Sequence, residues 1–131
     1  DRMKFNSLIP ELTVSDIEIS KKFYLEVLEF KLEYERVEDL FIFISKEGNQ
    51  LMLEQENGAW NTGELVFPYG RGVNFEMNID DVESLYNRII KLGIKPFREL
   101  KKNIYKCNGE DICQNEFLIQ DPDGYLLRFT D

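Results

Sequence analysis

Val14-Ser15-Asp16-Ile17-Glu18 and Ile79-Asp80-Asp81-Val82-Glu83 are the same phrase written twice, 65 residues apart. Each closes an alternating stretch and opens a helix with an acidic first turn. Ahead of the first, Leu8, Pro10, Leu12 and Val14 share one face, and Ser7, Ile9, Glu11 and Thr13 share the other. That is the period of a strand with one apolar side. Ahead of the second, Val73, Phe75, Met77 and Ile79 alternate more clearly with Asn74, Glu76 and Asn78. Ser15 and Glu18 have capping-box spacing, and Ile17, Ser20, Tyr24, Val27 and Leu28 carry the helix on. In the second copy Val82, Leu85, Tyr86, Ile89 and Ile90 form the apolar stripe, and Gly93 suits the C-terminal cap.

The repeat extends to the end of each half. Strands are expected at 30–36, 40–45 and 50–55, jointed at Glu38-Asp39 and at Lys46-Glu47-Gly48-Asn49. In the second half they fall near 94–100, 104–107, 115–120 and 125–130, the second strand of the module being broken or irregular. Asp121-Pro122-Asp123-Gly124 is a turn signal: Pro presets one backbone angle and Gly supplies the left-handed one. Residues 48–54 match residues 124–130 at a spacing of 76, which pairs Met52 with Arg128. The extra 11 residues belong around 101–114, where the sequence turns polar. A period this long, present twice, denotes a duplicated module and not a solenoid. The expected class is α+β: tandem βαβββ modules at residues 4–55 and 72–130, joined by a linker at 56–71 into one domain.

Composition narrows the function. The formal charge of −9 and pI near 4.6 argue against nucleic acid, whose phosphates demand a basic face. They permit a cationic ligand, although acidity also serves solubility. No apolar run approaches the roughly 18 residues of a membrane span, and no signal peptide is visible, so a cytoplasmic protein is expected. The chain has no histidine, which excludes Ser-His-Asp and Cys-His nucleophile systems and His-ligated zinc or iron. Cys107 and Cys113 are expected to be free thiols, although a hairpin around Asn108-Gly109-Glu110-Asp111 could bring them close.

Residues 14–18, 23–30, 79–82 and 121–129 together resemble the vicinal oxygen chelate superfamily, which includes glyoxalase I, extradiol dioxygenases, and fosfomycin- and bleomycin-resistance proteins. The resemblance implies two βαβββ modules whose sheets curve around a cleft, with one helix per module outside. In metal-using relatives four positions on the first and last strands of the modules carry His, Glu or Gln. Carried over, they fall on Ile9, Met52, Asn74 and Arg128. Ile9 and Met52 offer no hard ligand and Arg128 repels a cation. The resemblance therefore implies a metal-free protein without a cofactor, similar to the bleomycin-resistance branch, which sequesters a cationic drug as a homodimer.

The alternation gives an independent view of what would face such a cleft. Glu11, Glu54, Asn74, Glu76 and Arg128 lie on the more polar faces, with three carboxylates against one Arg. Arg128 either pairs with Glu54 or Glu76 across the sheet or meets a ligand. Trp60, with Phe67 and Tyr69, lies in the linker, to stack on a flat ligand, anchor a dimer or plug a sheet edge. Phe41 and Phe43 alternate with Ile42 and Ile44, and either pair could face the cleft. Three functions are weighed: a binding protein for a cationic or aromatic small molecule; a lyase or dioxygenase holding Mg²⁺ or Mn²⁺ on Glu11, Glu54 and Glu76; and an interaction role with an empty cleft. The first is favoured, with Glu11, Glu54, Trp60, Asn74, Glu76 and Arg128 as ligand-binding residues and no catalytic ones.

Overall fold

The computed structural model describes residues 3–131. The chain divides into two compact units, with the boundary between Val66 and Phe67.

The first unit contains β1 (Glu11–Val14), α1 (Ile17–Lys22), β2 (Lys31–Arg36), β3 (Phe41–Lys46) and β4 (Asn49–Gln55). Its sheet runs in the order β1-β4-β3-β2, with β1 parallel to β4 and the other pairs antiparallel. Asp16, not Ser15, caps α1: its carboxylate accepts the N–H groups of Glu18 and Ile19 at 3.0 and 3.3 Å. Asp so placed accepts two of the orphan amides and favours the positive end of the helix. After Lys22 the helix continues as a π-helical turn, Phe23–Val27, so the helical run ends at Leu28 as its spacing predicts. Tyr24 and Leu28 are fully buried with Leu51, Leu53, Ile42 and Ile44. Each such side chain contributes about 1.5–3 kcal/mol, more than the cap's ~1 kcal/mol, so the apolar stripe and not the cap places the helix.

β1 is shorter than the alternation suggests. Leu8 is 82% exposed and not part of the buried face. Side chains replace the ladder there: Asn6 N donates to Gln50 Oε1 at 2.8 Å, and Gln50 Nε2 to the Lys4 carbonyl at 2.7 Å. Pro10 has no N–H to give, yet its carbonyl accepts from Met52 N at 2.9 Å. β3 and β4 meet at Glu47-Gly48, where both residues have positive φ (48° and 86°), the backbone of a type I′ hairpin turn.

The second unit repeats the plan with β5 (Asn74–Asn78), α2 (Val82–Lys91), β6 (Arg98–Cys107), β7 (Glu110–Gln120) and β8 (Leu126–Thr130), in the order β5-β8-β7-β6. β5 is parallel to β8. Asp81 caps α2 by accepting from Ser84 N at 3.0 Å. At the other end Gly93 N bonds the Ile90 carbonyl and Ile94 N the Ile89 carbonyl, both at 2.9 Å, with Gly93 at φ 78°. That is a Schellman closure, and it needs a residue comfortable in the left-handed region. Within the stripe of α2, Val82, Leu85 and Ile89 are buried, while Ile90 is exposed.

The segments expected at 94–100 and 104–107 form one strand, β6. It pairs with β7 through a shift of register between Arg98 and Lys101. The two long strands turn at Asn108-Gly109, φ 52° and 83°, another type I′ turn. The irregularity is thus a bulge in a continuous strand, and the additional residues lengthen a hairpin. Cys107 stands opposite Glu110 and Cys113 opposite Ile104, so the hairpin does not pair the two thiols, and both are free and exposed.

Candidate functional site

In each unit the helix-bearing face of the sheet is apolar and the other carries the candidate residues. In the first unit the pairing of Phe43 with Met52 and of Ile42 with Leu53 settles which pair goes where. Ile42 and Ile44 join the core beneath α1, and Phe41 and Phe43 share the face of Met52 and Glu54. Tyr34 stacks on Phe43 with ring centroids 5.2 Å apart, and Phe5 meets Phe43 edge-on at 5.4 Å. The Arg36 guanidinium lies over the Phe41 ring, 3.8 Å from its centroid, and forms an exposed ion pair with Asp39 at 3.3 Å. Phe41 is consequently only 2% exposed.

Three of the expected residues gather on this aromatic face. Glu11 stands opposite Met52 and Glu54 opposite Thr13, so the two carboxylates are near neighbours on adjacent strands. Burial raises the Glu11 carboxyl above its ordinary value, the Glu54 charge adds to the rise, and the Arg36 charge opposes it. Glu54 is held by the linker: the Trp60 indole N–H donates to it at 3.2 Å and the Asn57 amide at 3.3 Å. Trp60 remains 63% exposed, so its ring is neither a plug nor core.

Asn74, Glu76 and Arg128 belong to the second unit. Glu76 stands directly opposite Arg128, and Asn74 opposite Leu126. Of the two partners foreseen for Arg128, the structure supplies Glu76, with Nη1 3.5 Å from Oε1. A closer partner was missed: Arg128 Nε donates to Glu116 Oε2 at 2.7 Å. Glu116 is 5% exposed, and its other oxygen accepts the Asn103 amide at 2.7 Å and the Tyr105 hydroxyl. Burial alone would push its carboxyl up. The bonds from Tyr105, Arg128 and Asn103 and the Arg128 charge outweigh burial and hold it below the usual range. Accepting the phenolic hydrogen, Glu116 in turn pushes Tyr105 up. The Arg128 guanidinium also lies 5.3 Å from the Tyr105 ring centroid.

A signal for Glu116 was present. In residues 115–120, Phe117 and Ile119 alternate with Glu116 and Leu118, so the carboxylate must share the face of Arg128 on the antiparallel neighbour. Asn103 and Tyr105 carried none, because the bulge ahead of them resets which residues face which way.

The resemblance puts relatives' metal-ligand positions at Ile9, Met52, Asn74 and Arg128. Ile9 precedes β1, and Met52 and Arg128 stand opposite Glu11 and Glu76 in matching places of the two sheets. A thioether and a committed guanidinium make poor partners for a hard cation. Among the described residues no group of three or more Cys, Asp or Glu side chains is arranged to hold a metal ion. Of the acids weighed for a carboxylate site, Glu11 and Glu54 lie in the first unit and Glu76 in the second.

Comparison with known proteins accords with this architecture. The family model for the Glyoxalase/Bleomycin resistance protein/Dioxygenase superfamily matches residues 5–129. A superfamily member from Vibrio splendidus 12B01 is 35% identical over 92% of this chain and 93% of its own, with a TM-score of 0.43. TioX from Micromonospora sp. ML1 is 15% identical, covering 96% of this chain and 98% of its own, with a TM-score of 0.72. A glyoxalase/bleomycin resistance protein/dioxygenase from Alicyclobacillus acidocaldarius is 22% identical, covering 95% and 89%, with a TM-score of 0.67. No curated protein matches the chain. With nearly its whole length matched by one family model, the chain belongs to the glyoxalase/bleomycin resistance protein/dioxygenase superfamily.

Proposed function

We propose that this protein binds a small molecule that carries a positive charge beside a flat apolar body, and sequesters it without transforming it. The observation that carries this reading is the cation already seated on the first sheet: the Arg36 guanidinium, 3.8 Å from the Phe41 ring centroid. A face that holds one cation against an aromatic ring, with Tyr34 and Phe43 stacked beside it, offers the same attraction to another. Glu11 and Glu54 supply the opposite charge, and the exposed Trp60 ring supplies a stacking surface tethered to Glu54. The displaced cation would be a weakly held one, since an exposed ion pair such as Arg36–Asp39 is worth at most about 1 kcal/mol.

Sequestration is favoured over catalysis by the chemistry at the ligand positions. Met52 and Arg128 supply no Lewis-acid site, and Arg128 is already committed to Glu116 and Glu76. In this reading the protein acts like the bleomycin-resistance type of relative, as a cytoplasmic homodimer, and light scattering on the purified protein checks the dimer. Trp60 is the single tryptophan, so its fluorescence reports on this face. Titration with bleomycin and with simpler cationic aromatics is expected to change it saturably, and the compound is expected to be recovered unaltered. Absence of saturable binding, or a stoichiometric divalent metal in protein purified without chelator, would overturn the reading.

A further inference from the structure

The second unit contains a pocket that plays no part in the cation reading. It opens at the bulge of β6, has a volume of about 70 Å³, and is lined by Arg98, Glu99, Lys101, Asn103, Tyr105, Glu116 and Leu118. The bulge creates it. Arg98 stands opposite Leu118, and without the shift Leu100 would stand opposite Glu116. Instead Lys101 does. The extra residue turns a second cation onto the face that Arg98 already occupies, which is the use to which bulges beside binding sites are commonly put.

The charges lining the pocket cancel in number but are not equally accessible. Glu116 forms its floor, but both its oxygens are occupied, one by Arg128 and the other by Asn103 and Tyr105. Its charge is therefore answered from within the sheet and is not available to Arg98 or Lys101. That leaves Arg98 and Lys101 facing Glu99 at the opening, while Arg128 is shared between Glu116 and Glu76. The Asn103 amide uses one hydrogen on Glu116 and retains a second donor. A water needs about 10–15 Å³ of such space, so the volume holds roughly five to seven groups of that size, enough for a small organic acid but not a whole drug.

We propose that this bulge pocket binds the carboxylate of a small organic acid, held between Arg98 and Lys101 with the Asn103 amide as a further donor. A lining whose two cations are balanced by Glu99 and Glu116 suits a monoanion better than a phosphate dianion. The planar Arg98 fork also fits two carboxylate oxygens. The chain's net charge of −9 opposes any anion at long range, but at 0.15 M salt the field is screened within about 8 Å, so the local pair of cations decides.

The test is a titration of the isotope-labelled full-length protein with sodium acetate and sodium propionate at constant total ionic strength, followed by amide NMR shifts. Saturable shifts are expected at Arg98–Tyr105 and Glu116, with a Kd in the roughly millimolar range. K101Q, whose side chain is exposed, is expected to weaken binding about tenfold through loss of one charge-assisted bond. E99Q is expected to tighten it severalfold, and this second variant keeps the test decisive should K101Q perturb the strand. Equal shifts with chloride alone, identical affinities in wild type, K101Q and E99Q, or tighter binding of inorganic phosphate than of acetate would each overturn the proposal.

Discussion

Replacing Arg128 by Met tests the network on the second sheet most directly. The substitution keeps an unbranched apolar stem and removes the guanidinium that bonds Glu116 at 2.7 Å and Glu76 at 3.5 Å. Removing one member of a buried ion pair costs about 3–5 kcal/mol, because the other charge is left uncompensated. Two features reduce that here: Arg128 keeps 22% side-chain exposure, and Glu116 retains Asn103 and Tyr105. An expected loss of about 2–3 kcal/mol at pH 7 follows, or a drop in Tm of roughly 6–15 °C for a chain of this size. The pH dependence gives the sign. In the native protein Glu116 is held below its ordinary value of 4.5, so its stabilisation is present above that value and is lost as pH falls through the folded one. In R128M the bond and charge of Arg128 no longer oppose burial, so the folded value rises. The stabilisation from the ionised carboxylate at neutral pH is then smaller, and the difference between the two proteins narrows as pH falls through the carboxylate range. Urea unfolding of both proteins at pH 7 and pH 4 measures this: the gap should be wide at pH 7 and narrow at pH 4, and E116Q should recover part of the loss in R128M. A gap under about 1 kcal/mol, or one of equal size at both pH values, refutes the account of Glu116 as a buried charge answered by Arg128.

Three other substitutions probe the turn and the cation-bearing face. In G124A the new methyl would sit 2.5 Å from Pro68 Cβ and 2.6 Å from its Cα, at φ 94°; backbone cannot yield as a side chain can, so urea unfolding should show a loss of about 3 kcal/mol or more. Asp121, buried in the same turn, accepts the N–H groups of Asp123 and Tyr125 at 2.9 and 3.0 Å, and D121A should cost about 2–4 kcal/mol by stranding both, with D121N recovering part. R36A uncovers the Phe41 ring, so a cationic aromatic followed by Trp60 fluorescence should bind roughly two- to fivefold tighter, the worth of an exposed cation–π contact; unchanged or weaker binding shows that Arg36 does not compete for that ring.

The order of elements was legible because the chain writes its module twice. The phrases at 14–18 and 79–83 place both helices, and the spacing of 76 that pairs Met52 with Arg128 corresponds to matching places in the two sheets. Glu54, Trp60 and Glu11 were legible as neighbours in chain or strand order. What escaped were features that depend on register. The N-terminal segment alternates as a strand should, but Asn6 and Gln50 side chains take over its hydrogen bonds and Leu8 stays exposed. A bulge leaves no periodic signature, so Lys101, Asn103 and Tyr105 could not be assigned to a face. Glu116 was legible in principle, by alternation with Phe117 and Ile119, but a lone acid at one end of a strand reads as solvated until its partner is known.

The matching places also reveal how the two units have diverged on one plan. Position for position, Glu11 stands beside Met52 in the first sheet and Glu76 beside Arg128 in the second. The acid is retained 65 residues on, while its neighbour changes from a thioether to a guanidinium. In the first sheet the acid lacks an adjacent-strand cation, burial and the Glu54 charge raise its carboxyl, and the positive charge that opposes the rise belongs to Arg36, which is displaceable because it rests on an aromatic ring and an exposed Asp39. In the second, Arg128 is shared by Glu76 and Glu116, and the accessible cations are Arg98 and Lys101 at the bulge. One substitution at a duplicated site thus separates a face suited to a cation from one whose open charge suits an anion. The reciprocal exchange bears directly on this argument: M52R should supply Glu11 with a cation and abolish binding of cationic aromatics, while leaving acetate shifts at Lys101 unchanged.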